Sequence, residues 1–289
     1  MMRNLETHQN PWGVPQPRRA DWADGLGVPV ADGPAPDYLY WVGCAGSFDD
    51  RAKEVSRALV ELLQEAGVSF AILGAREACT GDPARRIGHE FLFQTLAQQN
   101  VETMNALGAT KVIVQCPHCF NTLRNENPDY GGHYEVIHHT QLLDELVRAG
   151  RLRPTEEQRM LLAYHDPCYL GRHNGVYASP RDALAHVPGA RQVEMPRHRE
   201  RALCCGAGGS RMWMEERIGK RINDERMDEA VSTGAGTVCV ACPYCLIMLD
   251  DAARTRGDEI EVLDVAQVLR RSLPSASSPS GGAPAGRAD

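Results

Sequence analysis

Cysteine recurs in this chain in a frame that is written out twice. The second copy runs Cys168, thirty-five residues, Cys204-Cys205-Gly206 and, thirty-six residues beyond Cys205, Cys242-Pro243-Tyr244-Cys245. The first runs Cys44, thirty-four residues, Cys79-Thr80-Gly81 and, thirty-five residues beyond Thr80, Cys116-Pro117-His118-Cys119. Nine of the ten cysteines fall in this frame, so a fold for this chain has to gather thiols from remote stretches of each half. Cys44 and Cys168 are 124 positions apart, Cys79 and Cys204 are 125, and both Cys116/Cys242 and Cys119/Cys245 are 126. The last spacing also relates Gly108 to Gly234 and Tyr134-Glu135-Val136-Ile137 to Ile260-Glu261-Val262-Leu263. A period carried by glycines and apolar runs as well as by cysteines marks a repeated structural unit.

At 289 residues the chain is long enough for two such units, each burying a core without disulfide support. No basic start leads into an apolar stretch, and nothing approaches the run of about 18 to 20 apolar residues that spans a bilayer. The expected location is the cytoplasm, where ten cysteines in C-x-x-C and C-C spacings read as metal ligands or redox centres rather than disulfides. A formal net charge of -7 and a pI near 5.8, with no Lys/Arg stripe, argue against nucleic acid as a partner. Residues 1–36 are rich in Pro, Gly and Asp without periodicity, and 272–289 are of low complexity; both read as linker or disordered tail. The two repeat units are then expected over 37–150 and 151–271.

Local pattern predicts strands at Tyr38 to Val42, Phe70 to Leu73, Lys111 to Gln115 and Tyr134 to Ile137, and their counterparts at Leu161 to Tyr164, Arg191 to Met195, Thr237 to Ala241 and Ile260 to Leu263. Between them Val55, Ala58, Leu59, Leu62 and Leu63 keep helical spacing behind a Ser47 cap and before Gly67. Ile87 to Leu107 reads as a long amphipathic helix closed by Gly108, and Gln141 to Arg148 as a further one. This βαβα alternation predicts an α/β fold of two pseudo-symmetric halves, each a mostly parallel sheet covered by helices. In such sheets sites form beyond the carboxyl ends of the strands, where Cys44, Cys116, Cys168 and Cys242 fall.

A C-x-x-C at a strand-to-helix turn aims two sulfurs at one centre, while nearby amide N–H groups soften the charge. An adjacent pair such as Cys204-Cys205 suits a larger cluster better than a single ion. The second half offers five thiols, Cys168, Cys204, Cys205, Cys242 and Cys245; the first offers four, Cys44, Cys79, Cys116 and Cys119, because Thr80 stands in place of a second adjacent cysteine. Four thiolates suit a 4Fe-4S cluster or a structural zinc, and five exceed what either requires. Cys239 lies outside the frame and reads as a buried small hydrophobe. His165-Asp166 is a candidate catalytic pair that delivers protons to a sulfur substrate or quinone, or else a hydrogen-bonded turn that orients the Cys168 loop. His138 and His139 read as structural, Arg85 and Arg86 as counter-charges to a cluster or a solvated face, and Gly206 to Ser210 as a place of close backbone approach.

The C-x(n)-C-C-G-x(n)-C-P-x-C frame resembles the cysteine-rich CCG domain of heterodisulfide reductase and its relatives, among them glycerol-3-phosphate and lactate/glycolate oxidase iron-sulfur subunits. NPWG from Asn10, WVGCAGSFDDRA from Trp41, CTGDPARR from Cys79, CPHCFNTL from Cys116, HDPCYLGRHN from His165 and CCGAGG from Cys204 are similar, more narrowly, to the carboxyl-terminal half of heterodisulfide-reductase-related membrane iron-sulfur proteins. The likeness runs from Asn10 to Leu273. It implies a 4Fe-4S cluster, non-cubane and held by five cysteines in the reductase, at Cys168, Cys204, Cys205, Cys242 and Cys245, with a 4Fe-4S cluster or zinc at Cys44, Cys79, Cys116 and Cys119. It further implies an iron-sulfur oxidoreductase subunit that takes electrons from an electron transfer flavoprotein or ferredoxin-type protein and passes them to a quinone or disulfide-type acceptor, at the inner face of the membrane through a quinone-reducing partner. The rival reading of the same residues is a zinc-stabilised or mixed zinc/cluster scaffold without turnover of its own.

Overall fold

In the computed structural model, which describes residues 1–34, 36–257 and 260–274, the duplication is visible in the sheets. β1 (Tyr38–Trp41), β2 (Phe70–Ile72), β3 (Lys111–Val114) and β4 (Glu135–His138) pair in the order β2-β1-β3-β4. β5 (Met160–Tyr164), β6 (Ala190–Val193), β7 (Thr237–Val240) and β8 (Glu261–Asp264) repeat it as β6-β5-β7-β8. All pairs are parallel, with registers such as Leu39 beside Val112 and Leu162 beside Thr237. Strands covered on both faces need unbroken apolar runs, and Leu39, Tyr40, Trp41, Val112, Ile113 and Val114 are all buried. Each sheet grows first to one side of its opening strand and then to the other. The two central strands, β1/β3 and β5/β7, therefore frame a switch point, and a crevice opens past their carboxyl ends.

The repeat extends to helix ends. His138 caps the His139–Arg148 helix in a box with Gln141, and Asp264, 126 positions on, caps the Val265–Arg271 helix in a box with Gln267. Gly108 and Gly234 both take positive φ, 64° and 74°, just past the Glu90–Ala106 and Ile222–Ser232 helices. The two halves share one core. Leu59, Leu62 and Leu63 of the Asp50–Glu65 helix pack in the same buried cluster as Leu162, Val240, Val268 and Leu269. His139 Nε2 meets Asp264 Oδ1 across the boundary at 2.9 Å.

Three expectations change. Residues 1–36 are not a linker: Met2–His8 is a helix, Gln16–Ala23 a 3-10 helix, and Leu5, Asn10, Arg19 and Trp22 are buried. The Asn10 side chain accepts from Gly13 N and Val14 N and donates to His8 O and Val14 O, and Gln9 O accepts from Cys79 N, so polar groups rather than a hydrophobic stripe order this segment. Asp49, not Ser47, caps the Asp50–Glu65 helix, because a separate turn of helix, Gly43–Phe48, intervenes and Ser47 bonds back to Gly43 O. The helix expected from Ile87 begins at Glu90 instead, and a separate short helix, Asp82–Arg86, occupies what read as a turn. At the other end Ser272 and Leu273 are buried, with Ser272 O accepting from Thr155 N and Glu156 N; the expected tail over 275–289 lies outside the described residues.

Candidate metal centre

Both sheets deliver cysteine to their crevice by the same local devices. Cys44 and Cys168 follow the first central strand of each sheet. Cys116 and Cys242 are the N-caps of the Pro117–Asn121 and Pro243–Arg256 helices, which put Cys119 and Cys245 in the first turn. Proline at N1 costs no hydrogen bond there and starts the helix at once. Cys79 and Cys204 lie in loops shaped by a glycine two residues on. Gly81 (φ 84°) and Gly206 (φ 92°) each donate a backbone N–H to that cysteine's sulfur, at 3.5 and 3.3 Å. A side chain at 81 would strike Phe93, and one at 206 would press on Ile222.

In the second half the Cys205 sulfur lies 3.3 Å from that of Cys245, and Cys168, Cys204, Cys205 and Cys242 act on one another's acidity. In the first half Cys44 and Cys79 shift one another's acidity, as do Cys116 and Cys119, and a side chain at Gly43 would meet the Cys119 sulfur. Cys116 and Cys242 shift one another's acidity, so the two sets approach each other at the boundary of the halves. All ten cysteines are free thiols. Cys239, buried in β7, has no partner thiol among the described residues. The four cysteines of the first set are buried, whereas Cys168 and Cys204 of the second are partly exposed. The first set is closed to solvent and the second opens onto it.

Packing thiols this densely splits their acidities. Burial pushes Cys44 up, but a hydrogen bond from Cys79 and the Arg19 charge outweigh it and hold the thiol at about 7. Burial likewise opposes Cys242, yet bonds from Cys116, Cys245 and the amides of Cys245 and Tyr244 bring it to about 5. Bonds from Cys168 and Cys205, joined by the Gly206 amide, drive Cys204 well below the thiol range against its burial. Their donors, among them Cys79, Cys116, Cys168, Cys205 and Cys245, are pushed up instead. Soft sulfur donors that already share protons are those whose protons a thiophilic metal replaces, and the donor set fits iron-sulfur or zinc.

Two residues without a sequence signal stand behind Cys44. Arg19 Nη2 lies 3.4 Å from the Cys44 sulfur and 2.6 Å from Glu77 Oε1, and the Glu77 carboxylate accepts from Val42 N and Gly43 N. Both side chains are nearly inaccessible, at 1% and 2% exposure. Arg19 takes the counter-charge role considered for Arg85 and Arg86. Those two instead pair with carboxylates, Arg85 with Glu90 and Glu126, and Arg86 with Asp82 and Glu126. Only Glu77, an acid two residues before Cys79, offered a hint.

His165 and Asp166 are not poised as a proton-delivery pair. His165 is fully buried, accepts from Arg226 Nε on Nδ1 at 2.9 Å, and is brought down to about 3 by burial and the Arg226 charge, so it is neutral near pH 7. Asp166 is bound bidentately by Arg181 at 2.7 and 2.8 Å and accepts from Arg199 N. Ordering the loop is what this carboxylate does. His138 and His139 are held by Thr140 and Asp264, as structural histidines. His118, unremarked in the sequence, sits between Cys116 and Cys119 with Nδ1 2.9 Å from Asp82 and its ring 4.3 Å from that of Tyr169. Asp82, His118, Gly208, Ser210, Trp213 and Tyr244 line a small cleft whose walls come from both halves, beside both C-P-x-C motifs. Trp12 of the amino-terminal segment stacks on Tyr244 and meets Trp213 edge-on. Among the described residues no helix is long and apolar enough to cross a membrane.

Comparison with known proteins agrees with the duplication. The model of the CCG family, described as a cysteine-rich domain, matches residues 38–124 and again 162–250. The chain is 45% identical over 285 residues to the EtfAB:quinone oxidoreductase of Syntrophomonas wolfei, an alignment covering 93% of this chain and 40% of that protein. It is 33% identical over 272 residues to one of the subunits of the dihydromethanophenazine:CoB--CoM heterodisulfide reductase of Methanosarcina barkeri, covering 92% of this chain and 65% of that one. The chain thus spans less than two thirds of either relative. A hypothetical protein from Helicobacter pylori has a similar fold, with a TM-score of 0.56 at 11% identity, over 95% of this chain and 57% of that one.

Proposed function

The chain belongs to the cysteine-rich CCG family, and from that premise we propose that it is an iron-sulfur oxidoreductase subunit whose second half holds the redox-active centre. The observation that carries this reading is the set of five thiols Cys168, Cys204, Cys205, Cys245 and Cys242, which shift one another's acidity, with Cys205 and Cys245 in contact, more thiolates than a zinc ion takes and partly exposed at Cys168 and Cys204. These five would hold a 4Fe-4S cluster, of non-cubane form by resemblance; Cys44, Cys79, Cys116 and Cys119 would hold a second 4Fe-4S cluster or a zinc. A cluster supplies one-electron chemistry at a potential set by its charge, its hydrogen bonds and its exposure. The chain's own part is to provide these: the Gly81 and Gly206 amides and Arg19 offset thiolate charge, and burial keeps water from the first centre. The mutual influence of Cys116 and Cys242 supports electron exchange between two such centres.

The names of the relatives favour particular partners. Electrons enter from an electron transfer flavoprotein or a ferredoxin-type protein and leave to a quinone or a disulfide-type acceptor, which approaches through the cleft at Asp82, His118, Trp213 and Tyr244. The protein would then work in the cytoplasm, held at the inner face of the membrane by its partner. Anaerobic purification with iron, zinc and sulfide analysis tests the reading. A brown protein containing iron and acid-labile sulfide is expected, and a colourless one with zinc alone would favour a scaffold. Zinc in the first centre beside a cluster in the second has support of its own in the four buried thiols that Thr80 leaves there.

A further inference from the structure

His165 is a buried polar side chain with one nitrogen unused. Its Nδ1 accepts a hydrogen bond from Arg226 Nε–H at 2.9 Å, so the ring proton of the neutral imidazole is on Nε2. Nε2 is shut off from solvent and has no partner among the described residues. A ring nitrogen of His165, the Cys205 sulfur and the Cys245 sulfur all lie within 4.8 Å of one another. Arg226 is itself buried and fixed, Nη1 donating to Glu229 Oε2 at 2.5 Å and to Arg197 O at 2.7 Å. A nitrogen that carries a proton has no lone pair for a metal but is a donor to sulfur. The first half has a parallel: Trp41, 124 positions earlier, is packed with Cys116 and Cys119, and its Nε1–H is also buried without a partner. A buried donor that lacks an acceptor is costly unless something absent from the protein supplies one.

We propose that His165, held in its Nε2–H tautomer by Arg226, donates a hydrogen bond to a sulfur of the second centre at Cys205 and Cys245 and so raises that centre's reduction potential. His165 is thus a positioning and tuning residue rather than a ligand or a proton donor. Hydrogen bonds to cluster sulfurs stabilise the more negative, reduced state. The inference rests on the reading that the second half holds a cluster. Iron and sulfide analysis of the unmodified protein tests that reading, whereas the potential of the variants tests this one.

The experiment is an EPR-monitored redox titration of the anaerobically purified protein. His165→Leu is expected to keep full iron and sulfide while the midpoint of the second centre moves to more negative potential and that of the first stays put. His165→Gln, whose amide N–H can take the same place, should recover part of the shift. An unchanged midpoint in His165→Leu overturns the proposal, and so does loss of iron, which would make His165 a ligand. Should neither variant fold, the unmodified protein labelled with 15N-histidine decides by pulsed EPR. A weak nitrogen coupling is expected; its absence, or the large coupling of a bound nitrogen, overturns the assignment.

Discussion

Thr80 and Cys205 occupy equivalent places in the two halves and differ in what they can hold. Thr80 is buried beside Cys79, whereas the Cys205 sulfur bridges Cys204 to Cys245. Cys205→Ser is therefore expected to change the low-temperature EPR of the second centre and leave the first as it is; identical spectra would remove Cys205 from the ligand set. Behind the first centre the relevant pair is Arg19 and Glu77. Removing one partner of a buried ion pair leaves an uncompensated charge and costs about 3–5 kcal/mol, while replacing both with apolar groups is often close to neutral. With exposures of 1% and 2% this pair meets that condition, so Glu77→Leu should lower the midpoint of chemical unfolding sharply. Adding Arg19→Met should restore the part of the loss that comes from the unpaired charge, while Val42 N and Gly43 N still lack their acceptor. A single variant as stable as the parent would show that Arg19 reaches water when Glu77 is gone. The cysteines stood out as candidates in the sequence because spacing alone picks them out. This pair did not, because a buried ion pair joining positions 58 apart leaves no period behind.

Elements were legible where their signals are local. Short runs, half of them leading to a cysteine, predicted all eight strands, with ends within about two residues of those observed, a normal uncertainty for element boundaries. The proline after Cys116 and Cys242 marked two helix starts. The amino-terminal segment was misread because its order comes from Asn10, Arg19 and backbone bonds to the Cys79 loop, residue types that composition assigns to solvent. Asp264 is an element-scale feature that no local signal exposes in full: it caps the Val265–Arg271 helix and also holds His139 of the other half. Losing a cap costs about 1 kcal/mol, and a buried histidine nitrogen left without its partner about 1–3 kcal/mol more. Asp264→Ala should thus destabilise the protein by about 2–4 kcal/mol, and Asp264→Asn, which keeps the cap, by less. Equal losses in urea unfolding would mean that the cap contributes nothing.

At the scale of the whole molecule the two halves share a buried core, since Leu59, Leu62 and Leu63 find part of their cover in the second half and Val268 and Leu269 part of theirs in the first. The duplication in the sequence marks two domains, 37–150 and 151–271, and gives no sign of the core they share. The carboxyl end of β4 lies at that shared boundary, and its titration is a way to follow the joint. His138 is fully buried; burial, then the neighbouring His139, hold it well below its ordinary value of 6.5, so the folded chain keeps it neutral. The unfolded chain takes up that proton near pH 6.5, hence the stability His138 contributes is complete above this pH and is lost as pH falls below it. One proton bound only by the unfolded state gives a slope of roughly 1.4 kcal/mol per pH unit. His138→Asn retains a side-chain acceptor for the cap and cannot titrate. Unfolding free energies measured in urea between pH 7.5 and 5 should fall less steeply in His138→Asn than in the parent, by about that slope. Parallel curves would show that His138 is protonated in the folded state as readily as in the unfolded one, and that the boundary is wetter than its packing implies.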